Sequence, residues 1–528
     1  MYDYIIVGGG TAGCVLANRL TADPRISVLL LEAGGEPDKM AINIPIMWPD
    51  LWETKVDWNF KTTKQIGLNG RTVPQPRGKV LGGSSAINAM MAVRGHTTDY
   101  DEWAVLGNNG WSYADVLPYF KRSETSHRTN DPFHGISGPV NISANPNPNK
   151  LSKLFVEAAM SSGLPYNPDF NGATQEGVGF YDRFIDGGRR VNTANSYLAQ
   201  ARKRPNLTIR TDVLVMNLIF KDKKIAGVRY FADDEVRDAK AFREIILCAG
   251  ALNTPQLLLL SGIGPAKYLD YMGIYPRIDL PGVGQNLQDH TLVKLAYKSR
   301  GGVSMVRSKR LGYLLRYFLT GRRGPASSNL VESGGFVCSR ANVRRPDLQY
   351  FFLPALGEEY GANRDEGFML AVGLLRPESH GTVTLQTTDA ADAPKINPQY
   401  LSADDDLDTL ARGIHLAQNI VEQPALRPYW DHPISPNRHG LSDSEMDAFI
   451  RKSLDTIYHP CGTCKMGPDS DPEAVVDERL RLRGTTGVRI VDASIMPFIP
   501  AGNTQAPVLM IAEKAADMIL EDATATQN

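Results

Sequence analysis

The chain has 528 residues, 42% of them hydrophobic, and a formal net charge of −1. That length exceeds what one ordinary core fills, so two or more lobes are expected. The near-neutral charge excludes the basic surface by which a nucleic-acid binder displaces counterions from phosphates.

Asp3 stands where a signal peptide would carry basic residues, and no apolar run approaches the roughly 20 residues of a membrane span. Five cysteines, Cys14, Cys248, Cys338, Cys461 and Cys464, are few, odd in number and scattered. They form no disulfide framework and point to a reducing compartment. The expectation is a cytoplasmic protein.

Residues 4–34, YIIVGGGTAGCVLANRLTADPRISVLLLEAG, read as a buried strand, a glycine turn, a helix and a second buried strand ending at Glu32, which is a βαβ unit. From Gly35 to Gly110 the pattern turns irregular and rich in Gly, Pro and Trp, and includes RGKVLGGSSAINAMMAVRG. A long, weakly periodic region of this kind usually carries function. Strand-like runs return at NLTIRTDVLVMNLIF and AGVRYFA, and at REIILCAGALNTPQLLLLSGIG a strand turns into a helix. From about Thr291 to Ser453 strands such as DLQYFFLPA and GTVTLQTT mix with helices such as DDLDTLARGIHLAQNIVEQ, which reads as a separate lobe. The last segment, GVRIVDASIMPFIPAGNTQAPVLMIAEKAADMIL, is a short strand, a loop and a long amphipathic helix that suits a return to the first lobe. No internal repeat is present.

Gly8, Gly10 and Gly13 satisfy GxGxxG between a strand and a helix. Gly8 permits the tight turn, Gly10 lets the backbone approach a pyrophosphate, and Gly13 allows close helix packing, while the helix N-terminus at Thr11 and Ala12 adds partial positive charge. Glu32 ends the second strand, where a carboxylate accepts both ribose hydroxyls and repels a 2′-phosphate. The reading is dinucleotide binding, with NAD and FAD both open. GKVLGGSSAIN adds Gly82, Gly83, Ser84 and Ser85, a donor array without bulk, followed by the amide of Asn88. It suits a second contact with a diphosphate and ribityl chain, or with the edge of an isoalloxazine.

GKVLGGSSAINAMMAVRGHTTD from Gly78 and GALNTPQLLLLSGIG from Gly250 resemble the two signature stretches of the glucose-methanol-choline oxidoreductase family. The N-terminal GxGxxG, LPGVGQNLQDH, YHPCGTCKMG and VDASIMPFIPAGNTQAPVLMIAEKAAD are similar to further family segments, in family order and over nearly the whole chain. The nearest likeness is to choline-dehydrogenase-like and aliphatic alcohol dehydrogenases.

The resemblance implies an α/β fold: a Rossmann-like FAD-binding domain with a discontinuous α+β substrate domain. The expected division gives 1–150, 191–290 and 455–528 to FAD, and 151–190 and 291–454 to substrate. Thr11, Ala12, Glu32, Ser84, Asn88, Ala89 and Met91 would touch FAD, Val213 would hold the adenine through its backbone, and Asp492 with Ala493 would lie by the flavin end. Some members attach FAD through a histidine before the asparagine of the second glycine motif. That residue is Ile87 here, so noncovalent FAD is expected.

The family's active-site positions fall on His459 and Asn503. Oxidising an alcohol removes a hydroxyl proton and a hydride from one carbinol, so a base and a hydride acceptor must flank it. Imidazole, with a reference pKa near about 6.5, serves as that base, and an amide orients the hydroxyl. The implied reaction is oxidation of a primary alcohol to an aldehyde, with electrons passed to a quinone or other acceptor. An oxygen-dependent oxidase and a non-oxidising lyase of the same fold are the alternatives.

Cys461 and Cys464 follow no βαβ opening and lack two further zinc ligands, so buried thiols are expected, Cys461 beside His459. No metal is expected. His290 and His96 read as structural. Trp48, Trp52, Trp58 and Glu332 are candidates for a choline cage, whereas runs such as YFFLPAL fit aliphatic or aromatic alcohols. Residues 303–323 carry six basic side chains among Leu, Tyr and Phe with no acidic residue, which suits peripheral contact with the inner face of an anionic membrane.

Overall fold

Strand Tyr2–Val7 runs parallel to Val28–Leu31 on one side and to Glu235–Leu247 on the other, with Leu207–Arg210 beyond Val28–Leu31. A parallel sheet is covered on both faces and so reads as continuous apolar runs. Accordingly Ile5, Ile6, Val28, Leu30, Ile245 and Ile246 are fully buried. In this computed structural model, which describes residues 1–528 apart from 130, 363, 364 and 526–528, helix Thr11–Leu20 packs on the sheet and against the C-terminal helix Gln505–Ala525.

Glu235–Leu247 belongs to two ladders. Its second half pairs parallel with Tyr2–Val7 and Val488–Ile490, and its first half pairs antiparallel with Lys224–Ala232, which continues to Leu214–Lys221. The run NLTIRTDVLVMNLIF, continuous in hydropathy, is therefore two strands. Asp212, at φ 58°, turns the chain out of the parallel ladder between them.

The second sheet is antiparallel, in the order Trp430–Ser435, Thr291–Ser299, Gly367–Leu374, Leu348–Leu353, Ser333–Val337 and Gly177–Phe180. Helices Lys150–Ser161 and Asp404–Glu422 cover one face. Leu151, Phe155, Leu410 and Ile414 meet Val293, Leu348, Tyr350, Phe352 and Val372 in one cluster. Side chains alternate across a strand, so Leu292, Phe351, Leu353 and Ala371 face the other way, toward the first lobe. The predicted strand GTVTLQTT lies outside this sheet, as Thr382–Thr384 paired with Lys395–Asn397.

Candidate active site

Both glycine motifs open on one cavity of about 1020 Å³, which runs between the two sheets. Gly8, Gly10, Thr11 and Ala12 line it from the first motif, and Gly83, Ser84, Asn88, Ala89 and Met91 from the second. The two loops touch. A Cβ on Gly83, which sits at φ +54°, would lie 2.7 Å from Gly10 Cα. Gly13 stands behind the cavity wall, and a Cβ there would fall 1.9 Å from Gly8 O. It permits the turn rather than touching what the turn holds.

Glu32 also lines the cavity, and its carboxylate accepts from Gly9 N and Gly34 N, each at 2.8 Å. Burial pushes this carboxyl up to about 7, opposed by those two N–H groups. Val213, on the turn after Asp212, and Asp492 with Ala493 line the same cavity. The Asp492 carboxylate accepts from Gly250 N at 2.9 Å and Thr254 Oγ1 at 2.7 Å, so it caps helix Gly250–Leu260 at the cavity wall.

His459 is placed by pairing between two loops distant in sequence. Gln288 bridges antiparallel to Cys461, and Thr291 pairs with Thr456. Asp289 and His290 thus lie opposite Ile457, Tyr458, His459 and Pro460, and the surplus on the second strand bulges toward the cavity. Tyr458 takes the left-handed conformation at φ 67°, unusual for a bulky residue. Arg77 Nη2 holds it there by donating to Tyr458 O at 2.5 Å. Asp289, buried, accepts from His459 N at 2.8 Å through Oδ1 and from Thr456, Tyr400 and Gln75 through Oδ2. A carboxylate with four donors is satisfied in a dry site.

The ring of His459 lies between His290 and Asn503. His290 Nε2 is 3.0 Å from Leu375 O, which only accepts, so that nitrogen carries the proton and donates. His290 Nδ1 is then a lone pair, and His459 Nδ1, 3.0 Å away, must donate to it. The remaining nitrogen, His459 Nε2, is an acceptor on the cavity side, with Asn503 Nδ2 at 3.3 Å. Asn503 is held by Gln349 Nε2, which reaches its Oδ1 at 3.4 Å. Burial, then the neighbouring His290 ring and the Arg77 charge, hold the His459 imidazole well below the usual histidine range, and burial takes His290 down to about 3. Both rings are neutral near pH 7, and one lone pair faces the cavity.

The sequence reads His290 as structural, and the structure adds that its ring contacts His459. Cys461 and Cys464 are fully buried in the first core. Cys461 does not line the cavity; its backbone bridges Gln288 instead. His96 caps helix Thr97–Val105.

Of the four choline-cage candidates, Trp48, Trp52 and Trp58 line the cavity. Trp48 and Trp52 meet edge to face at 5.0 Å, and Trp52 meets Tyr458 at 4.7 Å. Trp58 stacks on Phe60 under Lys79. Glu332 lies elsewhere. It accepts from Asn149 N at 2.6 Å, Ser152 Oγ at 2.8 Å and Ser328 Oγ at 2.7 Å, at the start of helix Lys150–Ser161. At the cavity rim Asp50 pairs with Arg307 and Arg310, Glu358 with Arg307, and Glu359 with Lys294. Beyond His459 the wall is apolar, formed by Met91, Leu292, Val331, Phe351, Leu353 and Ala371.

A dinucleotide with a ring end fits this cavity on its own donor set. The helix start at Thr11, the Gly83–Ala86 turn and Glu32 suit diphosphate and ribose. Gln505 Nε2, on the wall beside Asn88, is buried with no acceptor among the described residues, while Gln505 Oε1 accepts from the Asn88 amide. Such an orphan donor calls for an acceptor supplied by a ligand.

Two family profiles, both described as GMC oxidoreductase, match residues 2–292 and 377–512. The chain is 42% identical to an oxygen-dependent choline dehydrogenase of Photobacterium profundum, over 98% of this chain and 93% of that one. It is 43% identical to an alcohol dehydrogenase [acceptor] of Pseudomonas putida, over 98% and 96%. The crystal structure of pyridoxine 4-oxidase from Mesorbium loti superposes with a TM-score of 0.90 at 34% identity, covering 98% of this chain and 99% of that one. The expected α/β architecture is therefore the one found, its second sheet being antiparallel, and the chain belongs to the GMC oxidoreductase family, as an FAD flavoprotein acting on CH–OH donors.

Proposed function

We propose that this protein oxidises neutral primary alcohols with aliphatic or aromatic tails to aldehydes. One observation carries the reading: the hydrogen-bond chain from Leu375 O through His290 to His459 leaves the Nε2 lone pair of a neutral imidazole at the cavity wall beside the Asn503 amide. That nitrogen accepts the hydroxyl proton of a bound alcohol, and Asn503 Nδ2 donates to the oxygen as negative charge develops on it. FAD, when bound, supplies the two-electron acceptor for the hydrogen on the carbinol carbon. Gly10, Thr11, Ala12, Glu32, Gly83, Ser84, Asn88, Val213, Asp492 and Ala493 would hold it, and Ile87, buried at the position of covalent attachment in some relatives, supports noncovalent binding. The apolar wall excludes water from the reacting carbinol.

Neutral alcohols are favoured over choline by the engagement of Glu332 in capping a helix and by the pairing of Asp50, Glu358 and Glu359 with cations. Electrons pass to a quinone or similar acceptor; the name of the Pseudomonas putida relative specifies an acceptor without identifying it. A cytoplasmic location with a peripheral seat on the inner membrane face accords with the basic segment 303–323. Among the described residues no helix is long and apolar enough to cross a membrane.

The test is anaerobic mixing of the yellow holoenzyme with straight-chain and aryl alcohols, and with choline. Alcohols should bleach the flavin rapidly and choline slowly. Flavin that stays oxidised with every alcohol would favour the lyase, and hydrogen peroxide formed at the full rate with oxygen alone would make the protein an oxidase.

A further inference from the structure

Helix Arg310–Leu319 is apolar on two faces. Arg310, Tyr313, Leu314 and Tyr317 turn inward, with Tyr317 buried and Arg310 and Tyr313 lining the rim of the cavity. Leu311, Leu315, Phe318 and Leu319 fall on the opposite side and are 69%, 56%, 57% and 84% exposed. Their spacing is that of one helical stripe. A soluble helix ordinarily turns a polar face outward, so a contiguous outward stripe of four large apolar residues marks a surface with a partner.

The charges beside the stripe select the partner. Arg307 and Arg310 are spent on Asp50, and Lys309 meets Glu366. Arg316, Arg322 and Arg323, on the outer side and just past the helix end, are exposed and have no carboxylate partner among the described residues. Leu and Phe flanked by unpaired arginines match a surface with anionic headgroups over hydrocarbon.

We propose that the outer face of helix Arg310–Leu319 is a seat on an anionic bilayer surface, holding the cavity rim against the lipid so that apolar alcohols enter from it. This deepens the functional reading above and rests on it only for the identity of the traffic. Leu311, Leu315, Phe318 and Leu319 enter the headgroup and acyl boundary, while Arg316, Arg322 and Arg323 meet lipid phosphates. Arg307 and Arg310, bound to Asp50, tie the helix to the segment Pro45–Leu51 on the other side of the rim.

The experiment is flotation of the full-length holoenzyme with vesicles of phosphatidylcholine plus phosphatidylglycerol, against pure phosphatidylcholine. The wild type should float with the anionic vesicles and be released by salt. Leu315→Glu/Phe318→Glu should lower the bound fraction by about tenfold or more, and Arg322→Gln/Arg323→Gln should weaken binding and reduce its salt dependence. Turnover of a short soluble alcohol with a soluble dye acceptor should be unchanged in both variants, which shows that they fold. The proposal falls if the wild type floats with neither vesicle, or if the Leu315/Phe318 variant floats as well as the wild type. It also falls if light scattering shows a dimer, dissolved by those substitutions, with no vesicle binding. A wild type that floats but oxidises no alcohol would leave the seat standing and remove the alcohol reading.

Discussion

His290 and His459 face each other through their Nδ1 atoms at 3.0 Å, the first ring accepting a hydrogen bond from the second. The backbone carbonyl of Leu375 sets the direction of that bond. His290→Ala leaves the His459 Nδ1 proton unpaired in a dry site and frees the ring to choose the wrong tautomer. Flavin reduction by alcohol in stopped flow should slow by about 10- to 100-fold with little change in apparent substrate affinity. An unchanged rate would remove His290 from positioning the base.

His459 itself should matter more. His459→Ala is expected to slow reduction by about 100-fold or more while FAD stays bound. Asn503→Ala, which removes a donor to the developing alkoxide and the neighbour of His459 Nε2, should cost about 100-fold in the same measurement.

The pH profile follows from burial. A depressed imidazole pKa keeps the base form present well below the ordinary histidine value, so kcat/KM should stay flat from pH 8 to below about 6.5 and fall only in more acid solution. Stability has the same sign. Burial takes the folded His290 imidazole down to about 3, against about 6.5 for the unfolded chain, so at this residue the unfolded chain binds more protons between those values. The His290 contribution, read as the difference in urea-unfolding stability between the wild type and His290→Ala, should decline as pH falls through that window.

Glu332 separates cage from scaffold. Its three donors come from the start of helix Lys150–Ser161 and from Ser328. Glu332→Gln should lower unfolding stability by about 1–3 kcal/mol and leave the KM for alcohols and for choline unchanged. A selective rise in the choline KM would place the carboxylate in substrate binding.

Gly13→Ala tests the nucleotide turn. The added methyl would meet Gly8 O, so the loop must open and the helix start withdraw from the cavity. The purified protein should be colourless, with flavin absorbance per chain reduced by about tenfold or more.

The strand–glycine–helix unit, the Gly83–Ser84 turn and Glu32 are legible in the sequence because each is local: hydropathy period, turn chemistry and a carboxylate at a strand end act within a few tens of residues. Reading DLQYFFLPA as a strand likewise determines, through its two-residue period, that Phe351 and Leu353 share a face. The contact of His290 with His459 joins residues 169 apart and depends on the bulge at Ile457–Pro460, which no local pattern encodes. Tertiary structure alone decided that Glu332 caps a helix, and that Leu311, Leu315, Phe318 and Leu319 look outward while Tyr317 looks in. The reason is physical: periodicity says which residues share a face, but what that face meets depends on where distant segments stop.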